Sequence, residues 1–284
     1  EGLVFTFGVP PEEILAGYRG GRFSLAWDLF PADVEALRHD PELGGQYEET
    51  PLLSTYYLVF NARKGPLADE ELRRELVRSV DVEGLVRRHL GRLAIPAHSL
   101  VPPGLLGHEP AETRPRSDER ARRSVDLTGI LHSVYEGAYS PLAEDLFAQL
   151  RERGFSVRLE KDTRSDYQRA IDSSGADFLA GRWVADYPDS DSFLCGLLHS
   201  EKGLFGAMAG TPDVDRLIAA GRAETDPEVR HEIYREAEEV IARRALLLPL
   251  FHEQAYRFAR PEIDGFDVTF SSPIVAYEKL SVRR

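Results

Sequence analysis

Three aspartates lie close together in the sequence at a place where ligand chemistry is expected. Asp186, Asp189 and Asp191 follow directly after a predicted strand at residues 177–185. In open α/β sheets ligands bind beyond the carboxyl ends of strands, so this loop is a candidate site. Three carboxylates suit Ca²⁺, although the glycine and the terminal glutamate of an EF-hand loop are missing. They also suit the paired acids of a hydrolase, for which no partner acid is identifiable.

A structural role for the same carboxylates is the alternative. Asp189 or Asp191 is suited to cap a helix predicted to begin at Ser192, because an aspartate side chain accepts hydrogen bonds from the first N–H groups of a helix. This interpretation is favoured for those two residues. For Asp186, the first residue after the strand, a ligand-facing role and a structural role both remain open.

Known catalytic patterns do not occur elsewhere in the sequence. It contains no Gly-x-Ser-x-Gly elbow and no His-Glu-x-x-His motif. The single cysteine, Cys195, rules out an internal disulfide and is expected to be a small core residue. His252 follows a buried apolar run and is expected to be a core or cleft-wall group. We therefore expect no catalysis, no cofactor and no metal.

Composition limits the class of protein further. Of the 284 residues, 42% are hydrophobic and 29% are charged, which is ordinary globular usage. The formal net charge of −13 argues against sequence-independent binding of nucleic acid through this stretch. No apolar run approaches the ~18 residues of a membrane span. The chain begins at Glu1 without a methionine, which is expected of a mature product or an excised piece.

Alternating strand and helix patterns must position the aspartate loop. Residues 53–60 are rich in aromatic and β-branched side chains and predict a strand, and residues 69–90 predict one long amphipathic helix. A strand at 125–131, a helix at 141–152 and a strand at 155–159 are typical of a parallel crossover. Together they indicate an α/β fold. The other predicted elements are strands at 3–7, 23–27 and 246–259 and helices at 10–18, 31–37, 212–221 and 227–244.

Several short motifs occur in an order that resembles one protein family. They are Tyr56-Tyr-Leu-Val-Phe-Asn61, Pro66-Leu67 with Asp69 and Leu72-Arg73, Val80-Asp81, Ile95-Pro-Ala97, Val101-Pro-Pro-Gly104, Gly181-Arg-Trp-Val-Ala-Asp-Tyr-Pro-Asp-Ser-Asp-Ser-Phe193, Asp213-Val-Asp-Arg-Leu-Ile218, Asp226-Pro-Glu-Val-Arg-His-Glu-Ile-Tyr234, Leu248-Pro-Leu-Phe-His252 and Arg260-Pro-Glu-Ile-Asp-Gly-Phe266. This order is similar to that of the family 5 extracellular solute-binding proteins of peptide and nickel ABC importers.

The resemblance implies an α/β fold of the type II periplasmic-binding-protein-like class, with a mixed sheet and two lobes. It implies that residues 53–252 form the distal ligand-binding lobe. Residues 1–52 are then a partial segment of the first lobe, and residues 253–284 return to it. Because a clamshell gains affinity by enclosing its ligand between two lobes, this C-terminal half alone is expected to bind weakly.

The resemblance also implies a ligand-binding set. Asp186 corresponds to the acid that holds the α-ammonium group of a peptide, and Trp183 would provide an apolar wall. Arg182 replaces the small residue usual before that tryptophan, and it either serves another anion or faces solvent. Tyr187 and His252 complete the expected set. In a closed cleft a carboxylate pairs strongly with a cation and rejects neutral analogues.

Three functions remain open at this point. The favoured one is a solute-binding domain of a peptide-type ABC importer, outside the cytoplasm as a periplasmic protein or an anchored lipoprotein, with an ABC permease as partner. The second is the ligand-sensing C-terminal domain of a cytoplasmic winged-helix transcriptional regulator. The third is a hydrolase that uses the Asp186 cluster.

Overall fold

The structure, a computed structural model, describes residues 2–108, 124–162, 171, 175–270 and 274–283. The chain divides into two units by its internal contacts. The larger unit comprises Leu53–Leu90 and Ala94–Glu253, and the smaller comprises Glu1–Leu52, Gly91–Leu93 and Gln254–Arg284. That residues 53–252 act as a ligand-binding lobe stays a prediction.

The described residues contain ten strands and a larger number of helical segments. The strands are β1 Leu25–Ala26, β2 Tyr47–Pro51, β3 Ser54–Phe60, β4 Ala94–Pro96, β5 Val125–His132, β6 Phe155–Asp162, β7 Phe178–Val184, β8 Leu247–Ala259, β9 Ile263–Asp264 and β10 Ser281–Val282. The α-helices are Pro11–Arg19, Pro31–Arg38, Glu70–Arg78, Val82–His89, Ser140–Glu152, Asp191–Phe193, Gly206–Ala209, Pro212–Ala223 and Pro227–Arg243, and a π-helical turn covers Leu194–Leu198.

In the larger unit, β3 has a paired strand on each side. It pairs antiparallel with β7 and with the first part of β8, while β7 pairs parallel with β5, and β5 pairs parallel with β6. The sheet is therefore mixed, as predicted. All seven residues of β3 are buried. A strand that is covered on both faces is typically a near-continuous apolar run, which explains the aromatic and aliphatic residues 56–60 that follow the buried Ser54 and Thr55.

The two faces of β3 contribute to two separate cores. Tyr56, Leu58 and Phe60 belong to a cluster with apolar residues of the helices that follow β3 and β5. Tyr57 and Val59 belong to a second cluster with residues of the helices Pro212–Ala223 and Pro227–Arg243. This division follows from the strand geometry, since successive side chains point to opposite faces.

The predicted crossover between residues 125 and 159 is confirmed. β5 leads into the helix Ser140–Glu152, and the chain then returns along β6, which is parallel to β5. Gly154 has a φ of 101°, a conformation that other residues rarely adopt. It allows the chain to turn sharply between the end of the helix and the start of β6.

The prediction of one long helix at residues 69–90 is wrong. Two helices, Glu70–Arg78 and Val82–His89, occupy this stretch. The Asp81 carboxylate accepts a hydrogen bond from the Gly84 N–H at 2.9 Å and so starts a new helix. Short polar side chains compete with the helical backbone for hydrogen bonds in this way, whereas the apolar spacing on which the prediction depended continues through the break.

The smaller unit departs from its predictions in two places. Residues 3–7 have no regular secondary structure, and Val4 and Phe7 are exposed. The aromatic and β-branched residues of this segment predicted a strand, but none of the described strands pairs with it. Strand β2 was not predicted; it pairs antiparallel with the second part of β8, as β1 also does. The core of this unit joins Tyr18, Val34 and Phe258.

Gly129 of β5 provides a test of the packing between β5 and β7. A Cβ atom at this position would lie 2.0 Å from Cζ of Phe178, whose buried ring stacks on Phe147. We expect Gly129→Ala to lower the free energy of unfolding by about 1–3 kcal/mol, because the ring must move within a filled core. Urea denaturation measures the change.

The control for this substitution is Gly45→Ala, because no atom lies within 4 Å of a Cβ built there. This variant should unfold at the wild-type midpoint. Equal stability of the two variants would contradict the described contact between β5 and Phe178.

Candidate functional site

The loop after β7 gives its three aspartates different surroundings. Asp189 forms a two-pronged ion pair with Arg230, with N–O distances of 2.7 and 2.9 Å, and also accepts the Asp191 N–H at 2.8 Å. Asp191 is buried and accepts a hydrogen bond from the Tyr187 hydroxyl at 2.9 Å. The Asp186 carboxylate is exposed and has no hydrogen-bond or ion-pair partner among the described residues. The structure therefore leaves one of the three carboxylates available to a ligand.

Ser192 fixes the start of this loop. Its buried hydroxyl oxygen accepts the Asp186 N–H at 3.1 Å and the Trp183 indole N–H at 3.4 Å. One side chain thus orients the backbone of the free carboxylate and the indole ring together. From the sequence, Ser192 is predicted only to start a helix. Its contact with Asp186 is signalled there by nothing more than a separation of six residues.

Strand pairing brings the chain to this point. Within β7, Phe178 to Gly181 are buried, and Arg182 is the first exposed residue. The Ala185 N–H donates to the Leu53 carbonyl at 2.8 Å, so extended pairing continues one residue beyond the strand. Asp186 therefore follows directly after the paired segment, where the sheet ends.

Arg182 is held from one side by a polar cluster that the sequence did not indicate. Its Nη1 lies 3.2 Å from Oε2 of Glu253, and its guanidinium carbon lies 5.7 Å from the Tyr56 ring centroid. Glu253 also accepts hydrogen bonds of 2.9 Å from the Ser54 hydroxyl and from the Tyr139 hydroxyl. Burial, reinforced by the neighbouring Glu253 carboxylate, raises the pKa of Tyr139. The phenol therefore stays a neutral donor.

Comparison with known proteins identifies the family. The sequence profile described as "Bacterial extracellular solute-binding proteins, family 5 Middle" matches residues 1–205. The chain belongs to this family. The match covers both the aromatic strand β3 and the loop that carries Asp186, which are the segments that position the free carboxylate.

Individual relatives extend the comparison to nearly the whole chain. It is 27% identical to the probable di/tripeptide-binding protein 5 of Pseudomonas aeruginosa, with 94% of this chain and 53% of the relative covered. It is 26% identical to the probable deoxycholate-binding periplasmic protein YgiS of Escherichia coli, with 94% and 52% covered. The chain thus spans about half the length of these curated relatives.

Comparison with a solved structure confirms the fold class. The structure of the murein tripeptide binding protein MppA of Escherichia coli matches with a TM-score of 0.77 at 20% identity, covering 95% of this chain and 55% of the other. The expected type II periplasmic-binding-protein-like α/β fold is therefore confirmed.

The other residues of the predicted ligand-binding set differ in accessibility. Trp183 is half-buried against the core that contains Tyr57 and Val59, so it combines a packing role with a partly exposed edge. Tyr187 is exposed, and partial desolvation with the hydrogen bond to Asp191 raises its pKa to about 12. Tyr187 adjoins Asp186 in the chain, and Trp183 lies three residues before it.

His252 lies inside the larger unit. The residue is only 1% exposed. The Thr55 hydroxyl donates to the Leu100 carbonyl at 2.8 Å, and His252 Nδ1 lies 2.9 Å from that hydroxyl oxygen and 3.2 Å from the Ser54 carbonyl. Because both neighbours are acceptors for it, Nδ1 carries the proton. The structure gives His252 a packing position, and its contact with a ligand stays a prediction.

Two wider features of the described residues bear on the site. No group of three or more His, Cys, Asp or Glu side chains among them is arranged to hold a metal ion. Among the helices that the structure describes, none is long and apolar enough to cross a membrane. In the aspartate loop, the ion pair of Asp189 and the hydrogen bond to Asp191 direct those carboxylates away from a shared metal geometry.

The buried His252 generates a testable pH dependence of stability. Burial, together with the nearby His108, lowers the pKa of His252 to about 3, and Nε2 has no hydrogen-bond partner among the described atoms. The unfolded chain takes up this proton below pH ~6.5 while the native state does not. The contribution of neutral His252 to the free energy of unfolding is therefore fully present above pH 6.5. It decreases as the pH falls, by about 2 kcal/mol between pH 7 and pH 5. Urea unfolding as a function of pH measures the slope.

The His252→Gln variant should show a smaller pH slope, whatever its stability at pH 7. Replacement of the exposed His39 by glutamine should leave the wild-type slope unchanged. If His252→Gln keeps the full slope, burial of a neutral imidazole at this position is not its source.

Proposed function

We propose that this chain is the solute-binding part of an ABC importer receptor and that its ligand is a short peptide whose α-ammonium group pairs with Asp186. The observation that carries the proposal is the exposed Asp186 carboxylate, which has no partner among the described residues, beside aspartates that are already paired. The resemblance to family 5 peptide receptors gives this carboxylate the same role.

The surroundings of Asp186 suit an ammonium ligand. Its backbone N–H is hydrogen-bonded to the Ser192 hydroxyl, so the main chain that carries the carboxylate is held before a ligand binds. Val184 and Tyr187 are both exposed beside it and offer apolar surface to the side chain of a bound residue. A charge-assisted hydrogen bond of this kind is about twice as strong as a neutral one.

The chemistry of Asp186 also separates two ligand classes that the relatives' names suggest. The Pseudomonas aeruginosa relative is named for di- and tripeptides, whereas YgiS is named for deoxycholate. A bile acid has no ammonium group and would gain nothing from a free carboxylate. The arrangement around Asp186 therefore supports the peptide.

The remaining parts of the proposal concern the setting of the protein. Binding takes place without catalysis, in an extracytoplasmic compartment, and the loaded receptor delivers its solute to an ABC permease. The names of the relatives support this importer role over the regulator alternative. The hydrolase alternative lacks support because Asp189 and Asp191 are engaged with Arg230 and Tyr187.

Replacement of Asp186 by asparagine tests the ligand assignment. We expect Asp186→Asn to weaken binding of trialanine 10-fold to 100-fold, since a charge-assisted hydrogen bond contributes about 1.5–3 kcal/mol. Binding of N-acetyl-trialanine, which lacks the ammonium group, should be weak and indifferent to the substitution. Isothermal titration calorimetry measures both affinities.

The matched control is Asp126→Asn, which removes another exposed carboxylate from the larger unit. It should bind trialanine as the wild type does. Equal binding of trialanine by the wild type and by Asp186→Asn would refute the assignment of the ammonium group to Asp186.

A further inference from the structure

The smaller unit contains a cavity that the proposed function does not use. Its volume is about 630 Å³, which lies within the range of about 300–1,000 Å³ typical of small-molecule sites. All the residues that line it belong to the smaller unit, whereas Asp186 belongs to the larger unit. The cavity is therefore a candidate for a second ligand site.

Strand β1 and the residues beside it form an aromatic wall of this cavity. Ala26 of β1 is buried in the core of the smaller unit. Since successive side chains of a strand point to opposite faces, Leu25 and Trp27 on either side of it point away from that core, and both line the cavity. Phe23 lines it as well. This wall offers an apolar ligand one leucine side chain and two aromatic rings.

The two aromatic rings of this wall are supported from the protein side. A Cβ atom at Gly17 would lie 2.5 Å from two atoms of the Phe23 ring, so this ring packs directly on the helix Pro11–Arg19. The guanidinium carbon of Arg257 lies 4.7 Å from the Trp27 ring centroid. Rings that are already held in place lose little freedom when a ligand binds.

Other segments of the smaller unit complete the lining with further apolar side chains. Phe5 and Tyr277 both line the cavity, and their rings meet edge to face at 5.1 Å. Ile263 of β9 and Val282 of β10 line it too. Val282 is 60% exposed and Phe5 is 44% exposed, so the cavity is open to solvent and a solute can enter it.

Arg22 is the charged residue among the described residues that line the cavity. Its guanidinium carbon lies 4.4 Å from the Phe23 ring centroid. Stacking on a ring uses the flat face of a guanidinium group and leaves the N–H donors at its edge available. The Arg22 side chain is exposed and forms no hydrogen bond or ion pair with a described residue. An oriented cation therefore stands beside an apolar wall.

We propose that this cavity binds an amphipathic monocarboxylate, a small molecule with an apolar body and one carboxylate. The body packs on Phe23, Leu25 and Trp27, and the two carboxylate oxygens accept the paired N–H donors at the edge of Arg22. The described lining contains no aspartate or glutamate that would repel an anion or compete for Arg22. A zwitterionic peptide suits this cavity less, because its ammonium group would lose water and gain no partner in the lining.

The first experiment separates the charge of the head group from the apolar chain. Decanoate and decyltrimethylammonium carry the same chain and opposite charges, and isothermal titration calorimetry below micelle-forming concentrations measures both affinities. The wild type should bind decanoate more tightly by about 5-fold or more, the range of an ion pair exposed to water. Arg22→Gln should remove this difference by weakening decanoate alone. Arg87→Gln, which removes an exposed arginine of the larger unit, should bind both as the wild type does.

The second experiment tests whether the apolar body lies in the cavity. Octanoate should bind about 15-fold more weakly than decanoate, because each buried CH₂ group contributes about 4-fold in affinity. Val282→Glu places a negative charge in the lining and should weaken decanoate by about 10-fold or more, since like charges repel strongly where water is scarce. Val229→Glu is the matched control, because Val229 is an exposed valine of the larger unit. It should have no effect on decanoate.

Thermal melts confirm that each variant is folded, which is expected because Arg22 and Val282 are both exposed. Equal binding of decanoate and decyltrimethylammonium, or decanoate binding that Arg22→Gln does not weaken, would refute the pairing with Arg22. Decanoate binding that is indifferent to Val282→Glu would place the ligand elsewhere and refute the site.

Absence of decanoate binding would also refute the proposal. If analytical ultracentrifugation then shows a dimer that Val282→Glu dissociates, the apolar surface pairs two copies of the chain instead. None of these outcomes bears on the proposed function, because trialanine binding and its dependence on Asp186 are measured separately.

Discussion

The antiparallel pairing of β3 with β7 is the constraint on which the candidate site depends. Its register places Tyr56 opposite Arg182 and Ser54 opposite Val184. Because the side-chain period of a strand is two, a shift by one residue would exchange the exposed and the buried faces of β7. Arg182 would then enter a core, and Trp183 would leave the one it packs against. The register is fixed by the apolar side chains of β3, which must fill two different cores at once.

The three aspartates of the loop are chemically identical but have different electrostatic partners in the fold. Asp189 is neutralised by Arg230, whose guanidinium group also contacts the Gly221 carbonyl and the Tyr234 hydroxyl. This ion pair connects the loop to the helix Pro227–Arg243. Asp191 is held by Tyr187. These contacts tie the loop to other segments of the larger unit, and the Asp186 N–H is itself hydrogen-bonded to Ser192. Asp186 is the aspartate of this loop whose carboxylate has no partner among the described residues.

Family membership and local geometry contribute different things to the functional argument. The family match establishes what kind of protein this chain is similar to, and the structural comparison establishes the fold. The relatives' names differ in ligand, from di- and tripeptides to deoxycholate. The ligand class must therefore be argued from side chains, and the proposed preference for a peptide over a bile acid depends on the exposed Asp186 carboxylate.

The sequence by itself determined the order and type of most elements. Local signals were sufficient there: an apolar run for β3, proline with a capping aspartate or threonine for the helices Pro227–Arg243 and Pro212–Ala223, and glycine at the end of the helix Ser140–Glu152. It also singled out Asp186, because a carboxylate after a strand is visible without any contact. The apolar periodicity did not predict the break between the helices Glu70–Arg78 and Val82–His89, because a single side chain, Asp81, starts the second helix.

Only the tertiary structure decided which charges are free. Asp186 and Asp189 look alike in the sequence, but Arg230 lies 41 residues from Asp189 and reaches it only in the folded chain. The same holds for Arg182, whose partner Glu253 is 71 residues away, and for His252, which the fold encloses beside Thr55. Burial and ion pairing depend on contacts between distant segments, and no local pattern of residue types encodes them.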